Sequence, residues 1–486
     1  MSATASPTLD AYSYGSLVGG KWRTRGVDFT TKNPARPSER VGEYSLSSGA
    51  DVRDAGAEAS RAQPAWSALP SFERAKVVAR FLDAVEARTE AIALAITREQ
   101  GKPLGEARGE VGKSLRESRV MVSEAARVGT TSVGSARPGV RNLITRRARG
   151  VIAGITPWNF PILTPMRKIA PALVFGNAMI LKPSEMTPGA ACFIVDAGRG
   201  ILPDGVLQLV NGGPDVGEAL VRLPCVAGVT FTGSVPVGKR IYAMAAERLA
   251  EVSLELGGKN AAIVHDVAEL DRALDHIAGA AFLCGGQRCT AVSRVLVQRS
   301  LAAAVIAGLT QRARAVVLGD GMNPATTLGP LVSAGHRERV GEMVTKAIAE
   351  GARAVVGAKN ASVADTDGFF YEPTILVDVP PRGIAAREEI FGPVISILVY
   401  DTLDEALELL NDVDYGLTAA LFSNDHRAIE RFVDQAQTGM LHINHGTIPD
   451  DHMPFGGIKN SGVGAPSVGA SAANFYTTEH AVYLGT

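Results

Sequence analysis

Two of the chain's cysteines lie five positions apart in the segment FLCGGQRCT, residues 282–290. Cys289 follows Arg288 and is flanked by glycines and small polar residues, which favours a loop over a packed core. A thiolate is a strong nucleophile, and Arg288 beside the thiol is expected to lower its pKa. Free cysteines, however, are most often small buried hydrophobic residues. That structural interpretation is kept for Cys284 and, on these nine residues alone, is also favoured for Cys289.

Two further segments carry side chains suited to carbonyl chemistry. TPWNFP (156–161) places Asn159 after an apolar segment, where a side-chain amide suits an oxyanion hole. LELGGKN (254–260) places Glu255 at the end of a predicted strand, where a carboxylate can act as a general base. The structural alternatives are a turn-forming role for Asn159 and a salt bridge for Glu255.

Composition limits the classes of function. The chain has 486 residues, is 46% hydrophobic and 20% charged, and carries a formal net charge of −1. This length predicts two or three domains, and the charge balance gives no support to nucleic-acid binding or a membrane-surface role. Its four cysteines form neither a disulfide framework nor a CxxC metal site, so no metal is expected. The first 16 residues lack signal-peptide features and no apolar run could span a bilayer, which predicts a cytoplasmic protein.

The elements that position these residues follow from hydrophobic periodicity. Apolar residues spaced three and four apart predict a helix over 71–99, with Ser71 as its N-cap and Gly101 as its stop. The same pattern predicts a second helix over roughly 105–127. Residues 129–149 are polar, rich in Gly and Arg, and predict an exposed hairpin or an inter-domain linker.

Downstream of residue 150 the pattern changes. Short apolar strands such as GVIAG, NAMILK and GVTFTG alternate with helices, and a second series of this kind begins at AAIVH, residues 261–265. Alternation of this type predicts parallel sheets that are covered by helices on both faces. The two series, joined near residue 257, predict two α/β domains with a cleft between them.

Several motifs support a family resemblance because of their order: TPWNFP, LKPSE (181–185), FTGS (231–234), LELGGKN, GQRCT (286–290), EEIFGPV (388–394) and PFGGIKNSG (454–462). Together they resemble the NAD(P)-dependent aldehyde dehydrogenase superfamily, in its semialdehyde-dehydrogenase-like branch, over nearly the whole chain. The resemblance implies an α/β fold of two Rossmann-like domains plus a small β oligomerisation element, and a homodimer or homotetramer. The implied boundaries are an NAD-binding domain at 1–125 and 150–257, to which 446–470 returns, a catalytic domain at 258–445, and an oligomerisation element at 126–149 and 471–486.

The resemblance also implies catalytic roles. Cys289 resembles the nucleophile that attacks the aldehyde carbon, and Asn159 resembles the side chain of the oxyanion hole. Hydride transfer to the nicotinamide gives a thioester, and Glu255 resembles the base that activates the hydrolytic water. Lys182 is placed with these residues as well as with the cofactor.

For the cofactor, the resemblance implies a Rossmann-like site without GxGxxG. Gly233 and Gly238 resemble the phosphate-side turn at a helix N-terminus. Lys182 and Glu185 resemble the pair that holds the adenosine ribose, and the carboxylate favours NAD over NADP. The full implied set is Ile155, Thr156, Pro157, Trp158, Lys182, Ser184, Glu185, Gly233, Ser234, Gly238, Leu256, Glu389 and Phe391.

For the substrate, the implied set is Lys113, Phe160, Arg167, Arg288, Thr290 and Phe455. Its three cations around one tunnel suit a remote anionic group, as in a semialdehyde. The alternative is that they pair with carboxylates, and Asp450 and Asp451 in the predicted substrate loop could neutralise them.

Four other functions stay open at this point. They are a CoA-acylating semialdehyde dehydrogenase, oxidation of neutral aliphatic or aromatic aldehydes, a catalytically idle scaffold and a cysteine hydrolase. The presence of Glu255 argues against the first, because CoA-acylating relatives typically lack this base. The presence of all three catalytic residues argues against the idle scaffold, and a cysteine hydrolase would need a partner histidine in a recognisable arrangement.

Overall fold

The computed structural model describes residues 11–485, so the predicted absence of a leader at the extreme N-terminus falls largely outside it. The strands are Tyr12–Tyr14 (β1), Ser16–Val18 (β2), Lys21–Arg23 (β3), Phe29–Asn33 (β4), Arg36–Tyr44 (β5), Thr131–Val133 (β6), Val140–Ala148 (β7), Val151–Ile155 (β8), Ala178–Lys182 (β9), Leu207–Leu209 (β10), Val226–Thr232 (β11), Glu251–Glu255 (β12), Ala261–Val264 (β13), Arg294–Gln298 (β14), Arg353–Val356 (β15), Thr374–Val377 (β16), Val394–Tyr400 (β17), Tyr415–Gly416 (β18), Thr418–Phe422 (β19), Met440–Ile443 (β20), Ile458–Lys459 (β21), Gly462–Val463 (β22) and Thr477–Gly485 (β23). The helices are Gly49–Ala68 (α1), Ser71–Glu86 (α2), Thr89–Gln100 (α3), Leu104–Glu124 (α4), Leu163–Val174 (α5), Gly189–Ala197 (α6), Pro214–Val221 (α7), Val235–Ala246 (α8), Leu270–Phe282 (α9), Ala302–Arg314 (α10), Ala334–Ala349 (α11), Ile384–Arg387 (α12), Leu403–Asn411 (α13), His426–Gln435 (α14) and Ala473–Tyr476 (α15).

The first large sheet has the strand order β22-β12-β11-β8-β9-β10-β2-β3. Its central strands are parallel, whereas β2, β3 and β22 pair antiparallel at the two edges. Strands β8 and β9 are buried along their whole length, as expected for apolar strands with helices on both faces. Helices α1, α7 and α8 build the core on one face, and α2 to α6 build it on the other. The predicted parallel sheet is therefore confirmed at its centre and wrong at its edges.

The second large sheet has the order β15-β16-β17-β14-β13-β19-β20 and is parallel except for the β15–β16 pair. Helices α9 and α10 pack on one face, and α11 to α14 pack on the other. This confirms the second α/β series that the sequence predicts from residue 261.

Two smaller sheets complete the main architecture. Strands β23, β7 and β6 form an antiparallel sheet in which β23 pairs with β7 from Thr477↔Ala148 to Gly485↔Val140. Residues 129–149 thus form a hairpin, as one of the two predictions for this segment stated. Strands β1, β5 and β4 form the other sheet near the N-terminus, which the sequence analysis did not predict.

The helical prediction near the N-terminus is partly wrong. The segment 71–99 forms two helices, α2 and α3, because the chain leaves helical geometry at Arg88 (φ −103°, ψ 13°). Both helices bury apolar residues at the same spacing, so periodicity does not reveal the break. Ser71 is not an N-cap; Pro70 holds that position and no side chain caps the helix. Gly101 is confirmed as the stop of α3, with a left-handed φ of 97°.

Within residues 11–485 no helix combines the length and the apolar composition that crossing a membrane requires.

Candidate active site

A cavity of about 700 Å³ is lined by residues from the segments that follow strands of both large sheets. Strands β12, β11, β8 and β9 are neighbours, so their carboxyl ends meet at one edge of the first sheet. Ligands of open α/β sheets bind at this edge. Most of the predicted residues line the cavity: Lys113, Pro157, Trp158, Asn159, Phe160, Arg167, Gly233, Ser234, Glu255, Leu256, Arg288, Cys289, Thr290, Glu389, Phe391 and Phe455.

Cys289 lies in a loop that a tight turn brings to the cavity. Three successive residues of this turn, Cys284, Gly285 and Gly286, have left-handed φ values of 57°, 64° and 69°. A Cβ on Gly286 would lie 2.1 Å from the carbonyl oxygen of Gly392, so the close approach requires glycine there. Cys284 is buried and lines the same cavity.

The electrostatic surroundings of Cys289 differ from the sequence-based expectation. Burial raises the pKa of the Cys289 thiol to about 12, the charge of Glu255 adds to this effect, and Arg167 and Arg288 oppose it. Arg288 does lower the pKa of this thiol, as the sequence predicts, but its effect and that of Arg167 are smaller than the effect of burial. Desolvation disfavours the thiolate more strongly than the two guanidinium groups favour it.

Asn159 is buried, and both ends of the residue are fixed. Its side-chain Nδ2 donates to the carbonyl oxygen of Gln287 at 2.9 Å, and its own carbonyl oxygen accepts from Lys102 Nζ at 2.9 Å. Lys102 in turn forms a 2.5 Å ion pair with Glu110. An amide nitrogen carries two N–H groups, so one can hold the side chain while the other points elsewhere. Lys102 and Glu110 line the cavity, and the sequence analysis missed both.

Glu255 is the last residue of β12 and is buried. Its Oε2 accepts from Thr232 Oγ1 at 3.1 Å, and its Oε1 has no hydrogen-bond partner among the residues that the structure describes. A buried carboxylate oxygen without a partner, in a cavity that also holds Cys289, can take a proton from water there.

An aromatic group lies at another part of the cavity. The Trp158 ring centroid is 5.5 Å from that of Phe391 and 5.4 Å from that of His336. His336 Nε2 lies 2.8 Å from the carbonyl oxygen of Phe391, and Phe391 has a left-handed φ of 59°. The sequence analysis missed His336, which stands alone in α11 without a motif around it.

Comparison with known proteins now decides the family. The model of the aldehyde dehydrogenase family matches residues 22–482. This chain is an aldehyde dehydrogenase.

Individual relatives are similar to this chain over most of their length. The succinate-semialdehyde dehydrogenase of Arabidopsis thaliana mitochondria is 37% identical over 92% of this chain and 85% of that protein. A betaine aldehyde dehydrogenase of Cereibacter sphaeroides is 39% identical over 92% of each chain. The crystal structure of betaine aldehyde dehydrogenase from Staphylococcus aureus with NAD+ superposes with a TM-score of 0.94, at 31% identity, over 97% of this chain and 96% of that one. The fold and the oxidation of an aldehyde with NAD or NADP follow from this membership.

The residues around the cavity fit a dinucleotide. Glu389 is half-buried against the glycines that follow β12: its Oε1 accepts from Gly258 N at 3.1 Å, and desolvation raises its pKa to about 7. At the other side, Gly233 and Ser234 bring the start of α8 to the cavity. Backbone N–H groups at a helix start favour the phosphates of such a ligand.

Gly238, unlike Gly233, is not among the residues that line the cavity. It stands within the first turn of α8, and its N–H donates to the carbonyl oxygen of Ser234 at 2.9 Å. A Cβ at Gly238 would lie 2.5 Å from Leu256 Cδ2, so this glycine allows close packing of α8 on the end of β12. The Gly233 N–H is also engaged, because it donates to the carbonyl oxygen of Glu255 at 3.0 Å.

The predicted ribose-binding residues lie beside the cavity without lining it. Lys182 ends β9, its Nζ donates to the carbonyl oxygen of Pro183 at 2.9 Å, and Glu185 Oε2 is 3.7 Å away. Ser184 Oγ accepts from Met186 N at 3.3 Å. Ile155 and Thr156 are buried at the end of β8.

The three predicted substrate cations differ in their surroundings. Arg167 pairs with Glu117 through two hydrogen bonds of 2.6 and 2.8 Å, with its guanidinium 4.1 Å above the Phe455 ring. Lys113 lies 2.8 Å from Asp451 and 3.2 Å from Glu117. These two cations are therefore ion-paired, as the alternative interpretation stated, and Asp451 is one of the carboxylates responsible; it also pairs with Arg116 at 2.6 Å.

Arg288 is different. Its Nη2 donates to Thr290 Oγ1 at 3.1 Å, whereas its buried Nη1 has no partner among the residues that the structure describes. Within residues 11–485 no carboxylate lies within ion-pair distance of this guanidinium. Arg288 is the predicted substrate cation that keeps an uncompensated charge beside the cavity. Glu106, the acid nearest in electrostatic effect, has a pKa that burial raises to about 7.

Among residues 11–485, no group of three or more His, Cys, Asp or Glu side chains is placed to hold a metal ion.

Proposed function

We propose that this aldehyde dehydrogenase oxidises a semialdehyde with a remote anionic group to the corresponding acid, and that Arg288 binds the anion. The carrying observation is the buried Nη1 of Arg288, which has no partner among the described residues and lies one position from Cys289. A buried guanidinium without an acceptor carries a desolvation cost that a bound carboxylate would remove. The Arabidopsis relative supports an anionic substrate, whereas the betaine aldehyde relative shows that sequence similarity alone does not select one.

In the proposed mechanism the Cys289 thiol gives up its proton to solvent water and its sulfur bonds to the aldehyde carbon, so that negative charge develops on the aldehyde oxygen. The free N–H of the Asn159 amide and backbone N–H of Cys289 donate to that oxygen. Because burial keeps Cys289 as a neutral thiol in the free protein, deprotonation has to accompany binding or attack. Glu255 then removes a proton from a water whose oxygen adds to the thioester carbon, which releases the acid and the Cys289 thiolate.

NAD is the proposed acceptor, in preference to NADP. Glu389, Phe391, Trp158 and the start of α8 would hold the nicotinamide half and the phosphates, and Lys182 with Glu185 would hold the adenosine ribose. When bound, NAD supplies the two-electron oxidation that converts the cysteine adduct to a thioester. The carboxylate of Glu185, close to Lys182, would repel a 2′-phosphate.

Hydrolysis is favoured over acyl transfer to CoA because of the unpartnered oxygen of Glu255. Product analysis with and without CoA tests this choice. Release of the free acid at the same rate in both reactions is expected, and formation of an acyl-CoA would contradict it.

The substrate proposal is tested by the ratio of kcat/KM for succinate semialdehyde to kcat/KM for butanal, which has the same carbon number and no charge. Arg288→Gln is expected to lower this ratio about 10- to 100-fold, which corresponds to one or two charged hydrogen bonds. The double variant Arg167→Gln/Glu117→Gln is the matched control, because it removes a complete ion pair and leaves the local net charge unchanged, and it should affect both substrates alike. An unchanged ratio in Arg288→Gln would refute the anion site.

We also propose a homodimer or homotetramer that works in the cytoplasm. The proposed domain division is an NAD-binding part at 1–125 and 150–257 with 446–470, a catalytic part at 258–445, and an oligomerisation element at 126–149 and 471–486. The pairing of β22 with β12 and of β23 with β7 supports this division.

A further inference from the structure

Lys102 and Glu110 form an ion pair with almost no solvent contact. Their side chains are 1% and 2% exposed, and Lys102 Nζ lies 2.5 Å from Glu110 Oε2. Burial of two charges is unfavourable unless the remaining hydrogen-bonding groups are also satisfied. The further partners of this pair therefore indicate what it holds in place.

Beyond their ion pair, the hydrogen bonds and the ring contact of these two side chains fall on one short segment, residues 159–163. Lys102 Nζ donates to the carbonyl oxygen of Asn159 at 2.9 Å and lies 4.3 Å from the centre of the Phe160 ring. Glu110 Oε1 accepts from the backbone N–H groups of Ile162 at 3.0 Å and Leu163 at 3.1 Å.

The contact of Glu110 falls at the start of α5. The first backbone N–H groups of a helix have no intrahelical acceptor. The N-cap residue of α5 is Ile162, which has no side-chain oxygen and makes no cap hydrogen bond. Glu110 thus provides from α4 the acceptor that the local sequence lacks, and a carboxylate at this end of a helix is electrostatically favourable.

The backbone of Lys102 is also held in place. Its backbone N–H donates to Gln100 Oε1 at 3.0 Å, and it follows Gly101, whose left-handed geometry ends α3. The ammonium group therefore approaches Asn159 from a rigid corner of the fold.

We infer that Lys102 and Glu110 are positioning residues that keep the side-chain amide of Asn159 aimed at the aldehyde oxygen. They hold the carbonyl group of Asn159 and the backbone that follows it, while the carbonyl oxygen of Gln287 holds the side chain itself. This inference rests on the role proposed above for Asn159. A displacement of about 1 Å in such a group can lower a rate by about 100-fold.

The test measures the burst rate of NADH formation in Lys102→Met, Glu110→Gln and the double variant Lys102→Met/Glu110→Gln, each in the wild-type and Asn159→Ala backgrounds. In the wild-type background Lys102→Met should slow the burst about 10- to 100-fold, with the NAD dissociation constant unchanged. Glu110→Gln should have a smaller effect, because its side-chain oxygen can still accept the two N–H groups. Lys102→Arg should restore part of the rate. In the Asn159→Ala background none of these changes should slow the burst further.

Arg108→Met is the matched control, since Arg108 lies on the same helix and pairs with Glu90 at the surface. The double variant removes both buried charges, so no unpaired charge remains. A loss of rate that persists in the double variant is therefore due to lost positioning and not to one unpaired buried charge. An equal loss of rate from Lys102→Met in both backgrounds would overturn the inference. If Asn159→Ala itself left the burst unchanged, the proposed function of Asn159 would fail instead.

Discussion

At the scale of single residues, Cys289, the proposed nucleophile, is expected to be unreactive until a ligand binds. Burial raises the pKa of Cys289 to about 12, and the neighbouring Arg288 does not overcome that effect. Burial also raises the pKa of the Cys284 thiol, five positions earlier, to about 11. Desolvation therefore raises the pKa of both thiols in the protein without ligands. We expect Cys289 to form a thiolate only once NAD or the aldehyde is bound.

Alkylation of Cys289 by iodoacetamide tests this pKa. Because only the thiolate reacts and its pKa is raised, the rate in the NAD-free protein should keep rising with pH up to pH 10, without a plateau. At pH 8 it should be well below the rate of a free cysteine. Mass spectrometry of the peptide that contains Cys289 gives the rate, and Cys284→Ser provides a background with one thiol fewer in the cavity. A plateau below pH 9 would contradict the prediction.

Glu255→Gln tests the proposed base. Removing a general base is expected to lower steady-state kcat about 100- to 10,000-fold, because hydrolysis of the thioester slows. The first turnover of NADH should persist, since the attack of Cys289 does not require this carboxylate. Stopped-flow absorbance separates the two phases. Glu124→Gln, a carboxylate of α4, is the control, and loss of the first turnover together with kcat would show that Glu255 acts earlier.

At the scale of elements, the sequence predicts the strands better than the contacts between distant segments. The run VIAGI identifies β8 because a strand that is buried on both faces consists of apolar and small residues throughout. The pairing of Arg167 with Glu117 and of Lys113 with Asp451 is different, because it depends on how α4, α5 and a loop over 300 residues away are packed. Motif order therefore predicted residues that line one cavity, but it could not show that two of the three cations are ion-paired.

Gly238→Ala tests the packing of α8. The added Cβ would lie 2.5 Å from Leu256 Cδ2, so either the Leu256 side chain, which lines the cavity, or the start of α8 has to shift. Since the start of α8 lies at the proposed phosphate site, NAD should bind about tenfold more weakly, in line with the cost of overpacking a tight contact. A fluorescence titration with NAD measures this. Tyr242→Ala, an exposed position on the same helix, should leave binding unchanged, and unaltered affinity in Gly238→Ala would disprove the packing role.

At the scale of the whole molecule, the sheet of β23, β7 and β6 has open edges. Tyr483 is 72% exposed on β23, and Val133 is 44% exposed on β6. An unprotected edge strand pairs readily with another chain, and charged residues on it prevent this. The variant Tyr483→Asp/Leu484→Asp should therefore reduce the mass measured by light scattering after size exclusion, with circular dichroism unchanged. A wild-type protein that is already monomeric would contradict the proposed oligomer.

The pairing of β22 with β12 has a consequence for how the enzyme is made. Glu255 ends a strand whose outer neighbour is Gly462–Val463, about two hundred residues later in the chain. Ribosomes add about 5–20 residues each second, so this strand waits tens of seconds at the slower rate for its partner to emerge. Newly made chains therefore carry an unfinished site around Glu255 while these roughly two hundred residues are added, and premature termination before position 462 should give products without turnover.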